Sequence, residues 1–264
     1  MGEFPLMLGN KRSNLSIPSL DNARRKHFRA VVHLKELITE LEWYFQTDPG
    51  AMVPEPEYSP DNPICSFQAK EPVPARFGLI VGDCLQNLRS TLDYLVWELV
   101  LAAGNTPSGD NMFPICTTPE NFKKALEKKR LEGVGVDAKA EIESLQPYSD
   151  SDNKSDVLRV LDELTNCNKH RRVLLTTLGS AVIPGHVPSD TEQVAFGYNP
   201  APEVGSNPIF RPVKSFGNTQ VNAKLVAFMA FDEDIVKNAN VTDWLGALAK
   251  YVGDEIIPKF IRFF

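Results

Sequence analysis

The sequence predicts an α+β protein, with a helical bundle over residues 19–172 and an antiparallel meander plus C-terminal helix over 173–264. Three observations predict it. Apolar residues recur at helical steps from Phe28 to Phe45 and from Phe77 to Leu99. After Arg172 the pattern shifts to β-branched apolar runs separated by Gly, Asn and Pro. From Thr242 the helical period returns. The meander is expected to pack on the bundle as one domain, after an irregular arm over 1–18.

Taken in order, Phe28, Val31, Leu34, Ile38, Leu41 and Phe45 give the first helix one apolar face, and Asp48-Pro49-Gly50 stops it. Near its start stands a basic cluster, Arg24, Arg25, Lys26 and His27, read as a solvated face or as a contact for an anion or RNA. Residues 49–75 hold seven prolines and read as a loop with one strand-like run at 64–69.

The central helix follows over 76–104, with Phe77, Val81, Cys84, Leu88, Leu92, Leu95 and Leu99 on its apolar face. Beside that face runs a mixed polar stripe: Asp83, Asn87, Ser90, Tyr94 and Glu98. Residues 105–118 form a loop carrying the apolar run Met112-Phe113-Pro114-Ile115. A Lys-rich amphipathic helix at 119–130 and a helical turn through Ile142 and Leu145 come next. In the helix after 155, an apolar face through Val157, Leu161 and Leu164 continues into Asn168 and Arg171. Arg159, Glu163, Asn166 and His170 form a separate stripe. The candidate strands are 173–183, 193–198, 209–216 and 224–232, and Pro258 bends or ends the final helix.

Composition bounds the function. The 264 residues are 42% hydrophobic and 23% charged, as in a soluble globular protein. A net charge of −6 argues against a surface that binds nucleic acid throughout, and leaves room for a local basic patch. Cys65, Cys84, Cys116 and Cys167 form no CxxC pair, and no two histidines stand at the spacing of a helical zinc pair. No metal and no cofactor are expected. There is no P-loop, GxGxxG or GxSxG. No secretory signal is visible, Leu6 stands where a myristoylation signal needs Ser or Thr, and Glu98 breaks the longest apolar stretch. The expectation is a soluble cytoplasmic protein with no membrane partner.

Two readings of the polar residues stay open. In one, Arg89 and Asp93 form a local i,i+4 pair and the stripe bonds to neighbouring helices. In the other, the stripe lines a cleft with Asn166, Asn168, Lys169, His170 and Arg171, and Arg171 pairs with Asp83, Asn87 or Glu98.

The segments LIVGDCLQNLRSTLDYLVWEL (79–99), IESLQPY (142–148) and LDELTNCNKHRRVLL (161–175) resemble a widespread, uncharacterised group of bacterial proteins. That group carries a Gly-Asp…Asn-Leu-Arg-Ser…Leu-Asp-His helix and a later Asn/Asp-Lys-His-Arg motif. A weaker resemblance is to HEPN helical domains, whose RNases use an arginine and a histidine on one helix with four to six residues between them. Arg89 matches that arginine, but the following positions are Tyr94, Leu95 and Val96. Tyrosine, with an ordinary pKa near 10, is a poor general base at neutral pH. The HEPN resemblance implies RNA or a nucleotide as ligand and a homodimer through the central helix. In that reading Arg89, Asp93, Tyr94 and His170 are catalytic. Asp83, Asn87, Glu98, Asn166, Asn168, Lys169 and Arg171 bind substrate. The alternatives are a non-catalytic ligand-binding or interaction module, and a small-molecule hydrolase using Asp83, Asn87 and Tyr94 against Asn168, His170 and Arg171.

Overall fold

The structure, a computed structural model, describes residues 17–47, 50–54, 65–149, 156–170, 176–184, 223–231, 233–236 and 239–264. At 50–54, 65–69, 169–170, 176–184 and 223–228 it describes the backbone only. The described residues are mostly helical.

Helix α1 spans Asp21–Gln46 and helix α2 spans Ala75–Ala102, and the two pack along their lengths. Ala23, Ala30, Leu37 and Leu41 form the seam of α1. Helix α2 is buried on more than one side: Phe77, Val81, Cys84, Leu88, Leu92 and Leu95 lie within the core, and so do Leu85, Val96 and Val100 on the flank. A helix with so wide an apolar arc is the centre of a bundle, covered by several neighbours. It ends at Ala103, and Gly104 follows with a φ of 77°, the left-handed conformation that glycine adopts without a steric cost.

Helix α3 (Pro119–Glu127) starts at Thr118, whose hydroxyl accepts the Asn121 N–H at 3.2 Å, with Pro119 in the first turn. Helix α4 spans Val136–Ser144 and α5 spans Asp156–His170. Leu158, Val160, Leu161, Leu164 and Cys167 are the buried residues of α5, while Val157 lies at the margin. Where α5 meets α2, the Asn168 side chain lies over Gly82: a Cβ there would stand 2.7 Å from its amide atoms. Gly82 thus lets the two helices approach.

Two antiparallel strand pairs accompany the helices. Strand β1 (Gly50–Pro54) pairs with β2 (Cys65–Ala69), so the stretch read as a loop contains a short hairpin ladder. Strands β3 (Thr176–Pro184) and β4 (Ala223–Phe231) pair in register from Thr176–Phe231 to Pro184–Ala223. The expected strands at 193–198 and 209–216, and Arg171, lie outside the described residues.

The C-terminal run differs from a single amphipathic α-helix. Helix α6 (Val241–Lys250), capped by the Asn240 side chain on Thr242 N–H at 3.0 Å, widens into a π-helical segment at Tyr251–Ile256. It then tightens to 3₁₀ over Ile257–Phe263. Two residues account for the changes. The His27 ring of α1 wedges against Gly253, where a Cβ would stand 2.6 Å away, and its Nε2 lies 2.8 Å from the Ala249 carbonyl. Pro258 then removes a backbone donor.

Candidate functional site

The candidate site begins with the loop over 105–118, which is bonded to α2 at Phe113. Phe113 is fully buried, and Pro114 and Cys116 are buried with it. Apolar side chains drive this segment into the core, but its backbone polar groups go in with it and need partners. Side chains supply most of them. Arg89 Nη2 donates to the Phe113 carbonyl at 2.6 Å, and Asp93 Oδ1 accepts the Phe113 N–H at 3.0 Å. Arg89 and Asp93 also pair with each other at 3.3 Å. Three residues farther on, the Gln146 amide oxygen accepts the Cys116 N–H at 2.8 Å. Its Nε2 donates to the Ile142 carbonyl at 2.9 Å. The Met112 N–H donates to the Arg130 carbonyl at 3.1 Å.

Arg89 and Asp93 therefore act as a clamp on the backbone of one residue, with the cation on the Phe113 carbonyl and the carboxylate on its amide, one on each of the two peptide units that flank its Cα. The i,i+4 spacing places both on the flank of α2 facing the loop. Arg89 is buried, and its Nη1 finds no hydrogen-bond partner among the described residues. The guanidinium is thus buried, with Nη2 committed to the Phe113 carbonyl, and is not open to a substrate phosphate at the surface.

The other sequence candidates fall elsewhere. Tyr94 is about 140° around α2 from Arg89 by the helical repeat. Its ring is exposed and lies under the Lys26 ammonium of α1, 5.5 Å from the centroid. Asp83 is exposed, and its backbone carbonyl accepts the Asn87 amide at 2.8 Å, a bond within the helix. Glu98 is buried: its carboxylate accepts the Asn22 side-chain amide at 2.8 Å and the Ser19 N–H at 3.3 Å. Negative charge at the first turn of α1 suits the helix dipole, so Glu98 ties down the start of that helix. The expected partner Arg171 lies outside the described residues.

On α5, Asn166 is exposed and bonds Asp162 at 3.0 Å, and Arg159 pairs with Asp156 and Glu163 at 3.1 and 3.3 Å. Arg159, Glu163 and Asn166 of that stripe thus find partners within their own helix. Asn168 packs on Gly82, and the side chains of Lys169 and His170 lie outside the described residues.

The three described free cysteines are all buried. Burial pushes the Cys84 thiol up to about 12, so it carries no thiolate at neutral pH, and it donates to the Ala30 carbonyl at 3.4 Å. Cys167 donates to Glu233 at 3.2 Å. Among the described residues no group of three His, Cys, Asp or Glu side chains could hold a metal ion. None of the described helices is long and apolar enough to cross a membrane. An open groove of about 590 Å³ lies between α4 and the C-terminal turn, but Glu141 on its wall is already paired with Arg262 at 2.8 Å and with Lys259 at 3.5 Å.

Sequence reasoning missed two participants. Gln146 belongs to the IESLQPY segment, but an amide bonded to backbone leaves no periodic trace. Trp97, 43% exposed and three residues after Tyr94, extends the aromatic surface of α2; its signal was a tryptophan on the polar side of an otherwise legible helix. No family model matches the chain, and neither a curated protein nor a solved structure matches it.

Proposed function

We propose that the chain is a non-catalytic helical binding module, and that its Asn-Leu-Arg-Ser…Leu-Asp signature is a fold signature. The observation that carries this reading is the clamp: Arg89 and Asp93 direct their polar atoms at the Phe113 backbone. An RNase of the resembled HEPN type needs an arginine open to a phosphate and an imidazole beside it. Here the residue at the histidine position is Tyr94, which lies on the other flank of α2 beside Lys26. The resemblance to the uncharacterised bacterial group remains the background of the proposal, with a meander over 173–232 beside a HEPN-like bundle as its scaffold.

The test is incubation of a mixed RNA pool with the protein, beside Arg89→Lys and His170→Ala variants shown to be folded by circular dichroism. The pool is expected to stay intact with and without Mg²⁺. Cleavage by the parent protein that disappears in both folded variants contradicts the proposal and restores the nuclease.

A further inference from the structure

The first turns of α1 carry four cations in six residues, Arg24, Arg25, Lys26 and Arg29, in a protein whose net charge is −6. Three of the four are exposed, and among the described residues none of the four is in an ion pair. On α2, Glu98 bonds Ser19 and Asn22, and Asp93 bonds Phe113 and Arg89. Asp21 is the one acid among residues 21–29, so the start of α1 carries a local excess of positive charge.

One aromatic ring, Tyr94, lies beside Lys26. The contacts Asn22–Glu98 and Lys26–Tyr94 fix the two helices antiparallel. By the helical repeat, Arg25 and Arg29, one turn apart, fall on the same side of α1 as Asn22 and Lys26, and Trp97 falls next to Tyr94 on α2. Tyr94 and Trp97 are 41% and 43% exposed. Three residues apart on a helix, they are separated by roughly 4.5 Å along its axis. Large rings in water beside unpaired cations suit a polyanion that also offers flat, apolar faces.

We propose that this surface, formed by Arg25, Lys26, Arg29, Tyr94 and Trp97, binds single-stranded nucleic acid. The guanidinium and ammonium groups take the phosphates, and Tyr94 and Trp97 stack on neighbouring bases. The site lies away from Arg89 and needs no catalytic group; it rests on the binding-module reading and supplies that module's ligand class.

The experiment is fluorescence anisotropy of labelled 12-mer RNA and DNA strands, titrated with the full chain at several salt concentrations. Each mixture is afterwards run on a denaturing gel. Binding is expected, with the RNA and DNA arms identifying the preferred sugar. Trp97→Ala is expected to weaken it about tenfold, and Trp97→Phe to retain most of the affinity. Arg25→Ala combined with Arg29→Ala is expected to flatten the slope of log affinity against log salt by about 1.4, since each phosphate contact on a single strand contributes about 0.7. Lys124→Ala, on α3, should leave the affinity unchanged.

Three results overturn the proposal. One is no binding at low salt. Another is equal loss from Lys124→Ala. The third is a Trp97→Ala variant that sediments as a monomer where the parent is a dimer, with affinity unaltered, because the face then belongs to a second copy. A cut strand on the gel overturns the non-catalytic reading instead, and leaves the binding face to be judged by its own variants.

Discussion

Replacing Arg89 with alanine lowers the melting temperature by about 6–10 °C, the equivalent of about 3 kcal/mol in a protein of this size. The loss has three sources. The Phe113 carbonyl, buried under the loop, loses its donor at 2.6 Å. Asp93, about two-thirds buried, loses its cation at 3.3 Å. The removed side chain also leaves a void beside α2, because Arg89 is packed along its length. Each uncompensated polar group costs about 1–3 kcal/mol. Arg89→Lys does not rescue, since one ammonium cannot span both acceptors in the plane the guanidinium uses. Arg89→Met loses less than Arg89→Ala, because it fills the space and removes the unpartnered Nη1 with the rest of the charge. Differential scanning calorimetry of the three variants checks the order.

Gln146→Leu is the second large effect, about 2–3 kcal/mol, read as a lower urea midpoint at unchanged slope. Gln146 is fully buried and joins two elements, taking the Cys116 N–H and giving to the Ile142 carbonyl. Leucine matches its volume, so the loss isolates the hydrogen bonds from the packing. Because Phe113 and Cys116 belong to one loop, Arg89→Ala and Gln146→Leu should not add. Once one end of the loop is free, the second substitution removes less than it does alone.

The helices were legible in the sequence because burial writes itself as periodicity. Phe77, Val81, Cys84, Leu88, Leu92 and Leu95 of α2 all lie in the core. Of the face expected for α1, Leu41 is in the core and Val31, Leu34 and Phe45 pack at its margin, but Phe28 and Ile38 are exposed, because the seam is centred instead on Ala23, Ala30 and Leu37. The polar residues were legible as unusual but not as to purpose. Glu98 reads as a member of a cleft-lining stripe until Ser19 and Asn22 are seen against it, and those partners are 79 and 76 residues distant. Arg89 and Asp93 were recognisable as a pair, worth a few tenths of a kcal/mol on an open helix face. Their larger role comes from the Phe113 backbone, and side chain–backbone bonds carry no residue-type signal at the backbone end. The break in helix type at Gly253 depends on His27, in the first helix of the chain, so no local pattern announces it.

Amide hydrogen exchange at Phe113, in the parent protein and in Asp93→Ala, tests the clamp most directly. Asp93 Oδ1 is the acceptor of that N–H, at 3.0 Å. The Phe113 amide should exchange slowly in the parent and at least tenfold faster in Asp93→Ala, while the amides of α1 keep their protection. Equal protection in both proteins, or a freely exchanging Phe113 in the parent, contradicts the clamp and returns Arg89 and Asp93 to the list of groups open to a substrate.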